Sequence, residues 1–126
     1  MKTLFLAAAA AGALLTLASP TLAADASHGQ ALFRSQCGVC HMGGDGDGDG
    51  GQGPSLKGVI GRKMGGDENF AYSQAILDAK GPPWTQESLA NFLADPQKAV
   101  PGTAMPIKVN SADDRADIAA YLATVK

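Results

Sequence analysis

Large side chains are scarce in this sequence. Four Phe, two Tyr and one Trp make aromatics only 6% of 126 residues, while Gly 16 and Pro 7 are plentiful. A chain of this composition has little of its own with which to fill an interior. Charge is thin as well: 17% of residues are charged, and Lys+Arg 10 against Asp+Glu 12 leaves a formal −2. That balance offers no basic groove for phosphates and excludes nucleic acid as the main partner. No run alternates apolar and polar residues, so no appreciable sheet is expected. No repeat or linker divides the chain, and its length sets a single small domain. Cysteine is nearly absent, but the two that exist, Cys37 and Cys40, stand three positions apart.

The first 23 residues have the layout of a secretory signal peptide. Lys2 supplies a positive start, residues 4–17 are apolar apart from Gly12 and Thr16, and Ser19-Pro20-Thr21-Leu22-Ala23 gives a small-residue exit. The run is shorter than the roughly 20 residues a transmembrane anchor needs. Cleavage after Ala23 or Ala24 is expected, leaving a periplasmic chain of residues 24–126 with no stable membrane insertion. Loss of Lys2 takes the formal charge to −3.

The remainder reads as helices joined by long loops, an all-α chain. Ser27 and Gln30 fit a Ser-x-x-Gln capping box for a first short helix carrying Leu32 and Phe33. Residues 41–66 are Gly-rich and aperiodic. Residues 72–80 suit a short helix stopped by Gly81-Pro82-Pro83. Thr85 caps the next, with Leu89, Phe92 and Leu93 on one face, Trp84 placed to staple onto Leu89, and Asp95-Pro96 at its end. Ser111 caps the last, whose buried face is Ile118, Tyr121, Leu122 and Val125.

The chemistry lies at Cys37-Gly38-Val39-Cys40-His41. Two thiols at this spacing can each add across a vinyl group of one haem, with the adjacent His reaching the iron. A thioredoxin-like pair would need a βαβ setting and would leave His41 without a role. A structural zinc site lacks a second ligand pair. For the far side of the iron, Met42 is too near His41 to cross the ring, Met64 reads as packing, and His28 as solvated. Met105, in Pro101-Gly102-Thr103-Ala104-Met105-Pro106, sits in a loop stiffened by proline on both sides and is the expected sixth ligand.

Together these residues resemble class I cytochrome c, nearest in layout to the mitochondrial and bacterial c2 group. The likeness runs from Gly29 and Phe33 through Cys37-Cys40-His41, Gly53-Pro54, Gly61-Arg62 and Phe70-Ala71-Tyr72-Ser73. It continues with Trp84-Thr85, Asn91-Phe92-Leu93, Asp95-Pro96, Pro101-Gly102-Thr103 and Met105, and closes on Arg115-Ala116-Asp117-Ile118-Ala119-Ala120-Tyr121-Leu122. The resemblance implies helices and loops wrapped around one covalent haem c per chain, with the terminal helices crossing where Gly29 meets Tyr121. It implies that the Pro54 carbonyl holds the His41 ring N–H. Arg62, Tyr72 and Trp84 would contact the propionates, and Phe92 and Thr103 would complete the cofactor pocket.

Three departures stand out. Phe92 occupies the place where relatives carry a Tyr whose hydroxyl approaches the Met sulfur. Gln36, Gln97 and Ala104 replace members of the lysine ring of mitochondrial-type relatives, and only Lys98 is kept. The loop after His41 carries Asp45-Gly46-Asp47-Gly48-Asp49-Gly50, which matches the first half of a calcium-binding EF-hand loop but has Leu56 at the twelfth position. A solvated, flexible loop is expected there. The Gly48-x-Gly50-x-x-Gly53 pattern follows no strand and is no dinucleotide fingerprint.

The expected activity is one-electron transfer between redox proteins by an exported monomer, not an enzyme. With His41 and Met105 both on the iron, no position is left for a substrate. The rival is a haem enzyme or gas-binding cytochrome in which Met105 is off the metal.

Overall fold

The computed structural model describes residues 22–44, 47, 48 and 50–126. Residues 1–21, most of the expected signal peptide, lie outside the described residues, as do Asp45 and Asp49. Five helices follow in order: α1 (Ala26–Leu32), α2 (Gln74–Ala79), α3 (Gln86–Ala94), α4 (Pro96–Ala99) and α5 (Ala112–Thr124). A single π-helical turn, Phe33–Cys37, continues α1. No strand occurs among the described residues, so the fold is all-α, as the sequence suggests.

Capping explains most helix starts. Thr85 and Ser88 form a reciprocal capping box on α3, and the Ser111 hydroxyl accepts from the Asp114 N–H to start α5. The start of α1 differs from the sequence reading. Its N-cap is Asp25, not Ser27; the Asp25 carboxylate accepts from the N–H groups of Ser27 (2.8 Å) and His28 (3.1 Å). Gln30 plays no part in a box, because its side chain reaches across to Asp47. Asp95-Pro96 closes α3 and also opens α4, with the Asp95 carboxylate on the Lys98 N–H and Pro at the first position.

The α1–α5 and α3–α5 pairs make the main helix contacts. Phe33, Leu89, Leu93, Ile118, Tyr121 and Leu122 form the larger buried cluster, with Trp84 packed against it. Ile76, Phe92 and Val100 form a smaller one. The closest approach of α1 to α5 comes one turn earlier on α5 than the resemblance implies. Gly29 faces the Asp117 carbonyl and Ile118, and a Cβ there would lie 1.9 Å from the Asp117 oxygen. Tyr121 instead packs on Phe33, with ring centroids 5.4 Å apart.

Because the obstructing atom at Gly29 is backbone, no side chain can swing aside. Gly29→Ala should cost about 3 kcal/mol or more, the upper end of overpacking penalties. A chemical denaturation midpoint close to the parent's would contradict this packing.

Candidate functional site

The π-turn sets up the site. The Gly38 N–H closes it onto the Phe33 carbonyl at 2.8 Å, a spacing common near functional sites. Directly afterwards, the N–H groups of Cys40 (3.0 Å) and His41 (2.9 Å) both point to the Cys37 carbonyl. This tight turn gathers Cys37, Cys40 and His41 at one wall of an apolar cavity of about 310 Å³.

All ten candidate residues line that one cavity. Cys37, Cys40, His41 and Pro54 come from the attachment segment and the loop after it. Arg62 and Tyr72 come from the long loop before α2, and Trp84 and Phe92 from around α3. Thr103 and Met105 come from the loop between α4 and α5. Met64 lines it as well, whereas Met42 and His28 do not.

The His41 Nδ1–H donates to the Pro54 carbonyl at 2.7 Å. The carbonyl can only accept, so in the neutral ring the proton is on Nδ1 and Nε2 keeps its lone pair. Burial lowers the His41 pKa, with the Pro54 bond opposing it, and the ring is held neutral. Gly53 is required beside it, since a Cβ there would come within 2.4 Å of the ring. Burial, then the neighbouring Cys40, push the Cys37 thiol up to about 11. A thiol so reluctant to ionise is a poor thioredoxin-type nucleophile. The two cysteines are free and half-buried.

Other site residues have work within the chain. The Arg62 guanidinium donates to the carbonyls of Ser55 (2.6 Å) and Lys57 (3.1 Å), bracing the loop that carries Pro54. The Tyr72 hydroxyl accepts from the Asp67 N–H at 3.2 Å. Trp84 meets Phe92 edge-on at 5.2 Å. Two residues outside the sequence-derived set also matter. Gln97 donates to the carbonyls of Thr103 (2.6 Å) and Met105 (3.1 Å), tying down the methionine loop. Asp47 anchors the loop after His41.

Asp47 corrects the expectation of a solvated acidic loop. It is 2% exposed. One oxygen accepts from Arg34 at 2.5 Å, and the other from Gln30 at 2.9 Å and from the Tyr121 hydroxyl. The Tyr121 oxygen in turn accepts from the Gly44 N–H at 2.9 Å. Three donors and near-complete burial leave this carboxylate poorly placed to serve a calcium ion, which weighs against it as the central ligand of the EF-hand-like reading.

The donor set and walls suit a haem: two unbridged thiols, a neutral imidazole and a thioether on one apolar cavity, with no buried side-chain N or O unpartnered among the described residues. The comparisons agree. The sequence pattern of cytochrome c matches residues 26–126. The chain belongs to the cytochrome c family. It is 47% identical over 102 residues to cytochrome c of Tetrahymena pyriformis, covering 80% of this chain and 89% of that one. Cytochrome c of Euglena viridis is 43% identical over 103 residues, covering 81% and 98%. Cytochrome c2 of Rhodopseudomonas palustris is 38% identical over 118 residues, covering 81% and 99%. As a class I, c2-like cytochrome c it carries one covalent haem c and serves as an electron carrier with redox partners, not as an enzyme. No helix among the described residues is long and apolar enough to cross a membrane.

The Gln30, Tyr121 and Arg34 bonds, in that order, hold Asp47 down to about 2. A depressed carboxylate contributes stability that is full above its unfolded value and is lost as pH falls through the folded one. The stability difference between the parent and Asp47→Asn should therefore be largest above about pH 4 and shrink as pH approaches 2. Urea unfolding of both proteins across that window checks it; a gap independent of pH would deny Asp47 this role.

Proposed function

We propose that this chain is an exported one-electron carrier whose haem iron is held between His41 and Met105. The observation that carries the reading is the convergence of both side chains on one cavity, each fixed by its own backbone device. Pro54 orients the His41 ring. Gln97 and the Thr103 hydroxyl, which accepts from the Met105 N–H at 3.4 Å, position the methionine loop. Haem iron supplies the reversible one-electron change, and Met/His pairs give comparatively high potentials. The chain's part is to exclude water with Leu89, Phe92, Leu93, Ile118 and Leu122 and to keep both ligand loops still as charge changes. Arg62, Tyr72 and Trp84 would meet the propionates.

Export rests on residues 1–23, with Lys2, the apolar run and the small-residue exit marking a cleaved signal and a periplasmic monomer. The docking face is neutral in character. Gln36, Ala104 and Ile107 line the cavity, Ile107 is an exposed apolar residue, and Lys98 is the lysine retained.

If Met105 is the sixth ligand, the ferric protein should show the weak near-infrared sulfur-to-iron band, and the ferrous protein should bind carbon monoxide slowly or not at all. Met105→Ala should abolish the band, lower the potential and admit carbon monoxide rapidly. Fast binding by the parent, without the band, would point to an open-site gas-binding cytochrome instead.

A neutral face also predicts weak electrostatic steering. The bimolecular electron-transfer rate should fall by less than about tenfold between about 0.01 M and 0.15 M salt. Stopped-flow reduction by a protein partner would expose a steeper dependence, and with it a charged docking surface.

A further inference from the structure

A second group of ligating side chains lies outside the cavity, where the terminal helices meet. His28 on α1 and Asp114 and Asp117 on α5 hold their ligand atoms within 4.8 Å of one another. Asp114 and Asp117 are three residues apart, so one helix face carries both carboxylates. His28 Nδ1 stands 2.8 Å from Asp117 Oδ2. Asp117 is fixed from its other side, its Oδ1 accepting from the Asp25 N–H at 2.6 Å. Its side chain is 13% exposed while that of His28 is 50% exposed. A held carboxylate thus faces an imidazole that solvent can reach.

The local side-chain charge is acidic, offset in part by the α-amino group that signal cleavage would leave beside Asp25. Asp113 and Asp114 both occupy the first turn of α5, and Asp25 caps α1 alongside. No lysine or arginine among the described residues pairs with Asp114 or Asp117. Arg115, next in sequence, donates instead to the Val109 and Asn110 carbonyls. In the absence of metal, a proton on His28 counters this charge: its pKa is raised, chiefly by the bond to Asp117.

Small side-chain movements would close the cluster on a small ion. Ligand atoms bound at about 2.1 Å lie roughly 3.0 to 3.4 Å apart around one centre: the His28–Asp117 pair, at 2.8 Å, must open slightly, and Asp114, whose ligand atom lies within 4.8 Å of theirs, must come to the same spacing. One imidazole with two carboxylates favours a first-row transition metal over calcium, which takes oxygen ligands alone. We propose that His28, Asp114 and Asp117 form a surface site for a transition-metal dication of the zinc type, which clasps α1 to α5. An ion bound only by the folded chain stabilises it by mass action. It acts at the crossing marked by Gly29, away from the haem cavity, which none of the three residues lines.

The test is calorimetric titration of the haem-loaded protein with zinc chloride, paired with thermal melts. We expect one zinc per chain and a melting temperature that climbs with zinc concentration and returns on chelation. His28→Gln should abolish both effects, and Asp114→Asn should weaken binding about tenfold or more, each with an unchanged visible spectrum. The other histidine, His41, is half-buried with Nδ1 on Pro54 and cannot stand in for His28. Absence of binding by the parent would overturn the proposal. So would undiminished binding by either variant.

Discussion

Contact between the backbones of α1 and α5 at Gly29 fixes where everything else can sit. Bringing a helix against the Asp117 carbonyl with no side chain between them sets the height at which Phe33 meets Tyr121. That pair closes the core behind the attachment turn. Tyr121 then presents its hydroxyl to Asp47 and Gly44, so the same crossing that packs the core also anchors the loop after His41. A chain with so few aromatics uses two of them at this one junction. Phe70, Tyr72, Trp84 and Phe92 are left to wall the cavity.

Low polarity in that cavity acts on each functional group in the direction its role requires. It depresses the basicity of His41, leaving a lone pair for a metal instead of a proton. It raises the Cys37 thiol, so the free sulfur is quiet until it is engaged. The counterweight is a set of polar anchors: Pro54 on His41 at the cavity wall, and, behind it, Ser55 and Lys57 on Arg62 and Asp47 on Arg34. Rigidity comes from these anchors, and the apolar walls keep solvent from responding when charge changes.

What could be read from sequence was what is encoded locally. Thr85 with its following apolar face, and Ser111 with Ile118, Tyr121 and Leu122, announced α3 and α5 because cap and periodicity agree within a dozen residues. The attachment motif was legible because its neighbours carry the signal, and the proline-flanked loop of Met105 drew notice for the same reason and does line the cavity. The start of α1 was not, since Asp25 and Ser27 are both good caps two residues apart, and Gln30 completes the wrong pattern. Its amide is claimed by Asp47, a contact visible only once the chain is folded. Asp47 itself sits among glycines and reads as solvated; its burial is decided by Tyr121, 74 positions away. The brief α4 did leave a trace, the Asp95-Pro96 cap and first-turn pair, which equally well ends α3.

Phe92 and Gln97 are best understood together. Phe92, buried at the cavity wall, brings no hydroxyl toward the sulfur of Met105, so that route for holding the thioether is closed. Gln97 instead binds the two carbonyls that flank Ala104, and the Thr103 hydroxyl receives the Met105 N–H. In this chain the loop is fixed through its backbone. Under the proposed ligation, the sulfur lone pairs then answer only to the iron and to apolar neighbours. The loop can stay rigid without a hydrogen bond that would withdraw density from the ligand. At this edge the Gln97 amide does structural work that a strongly hydrated ammonium on a longer, flexible stem would do poorly.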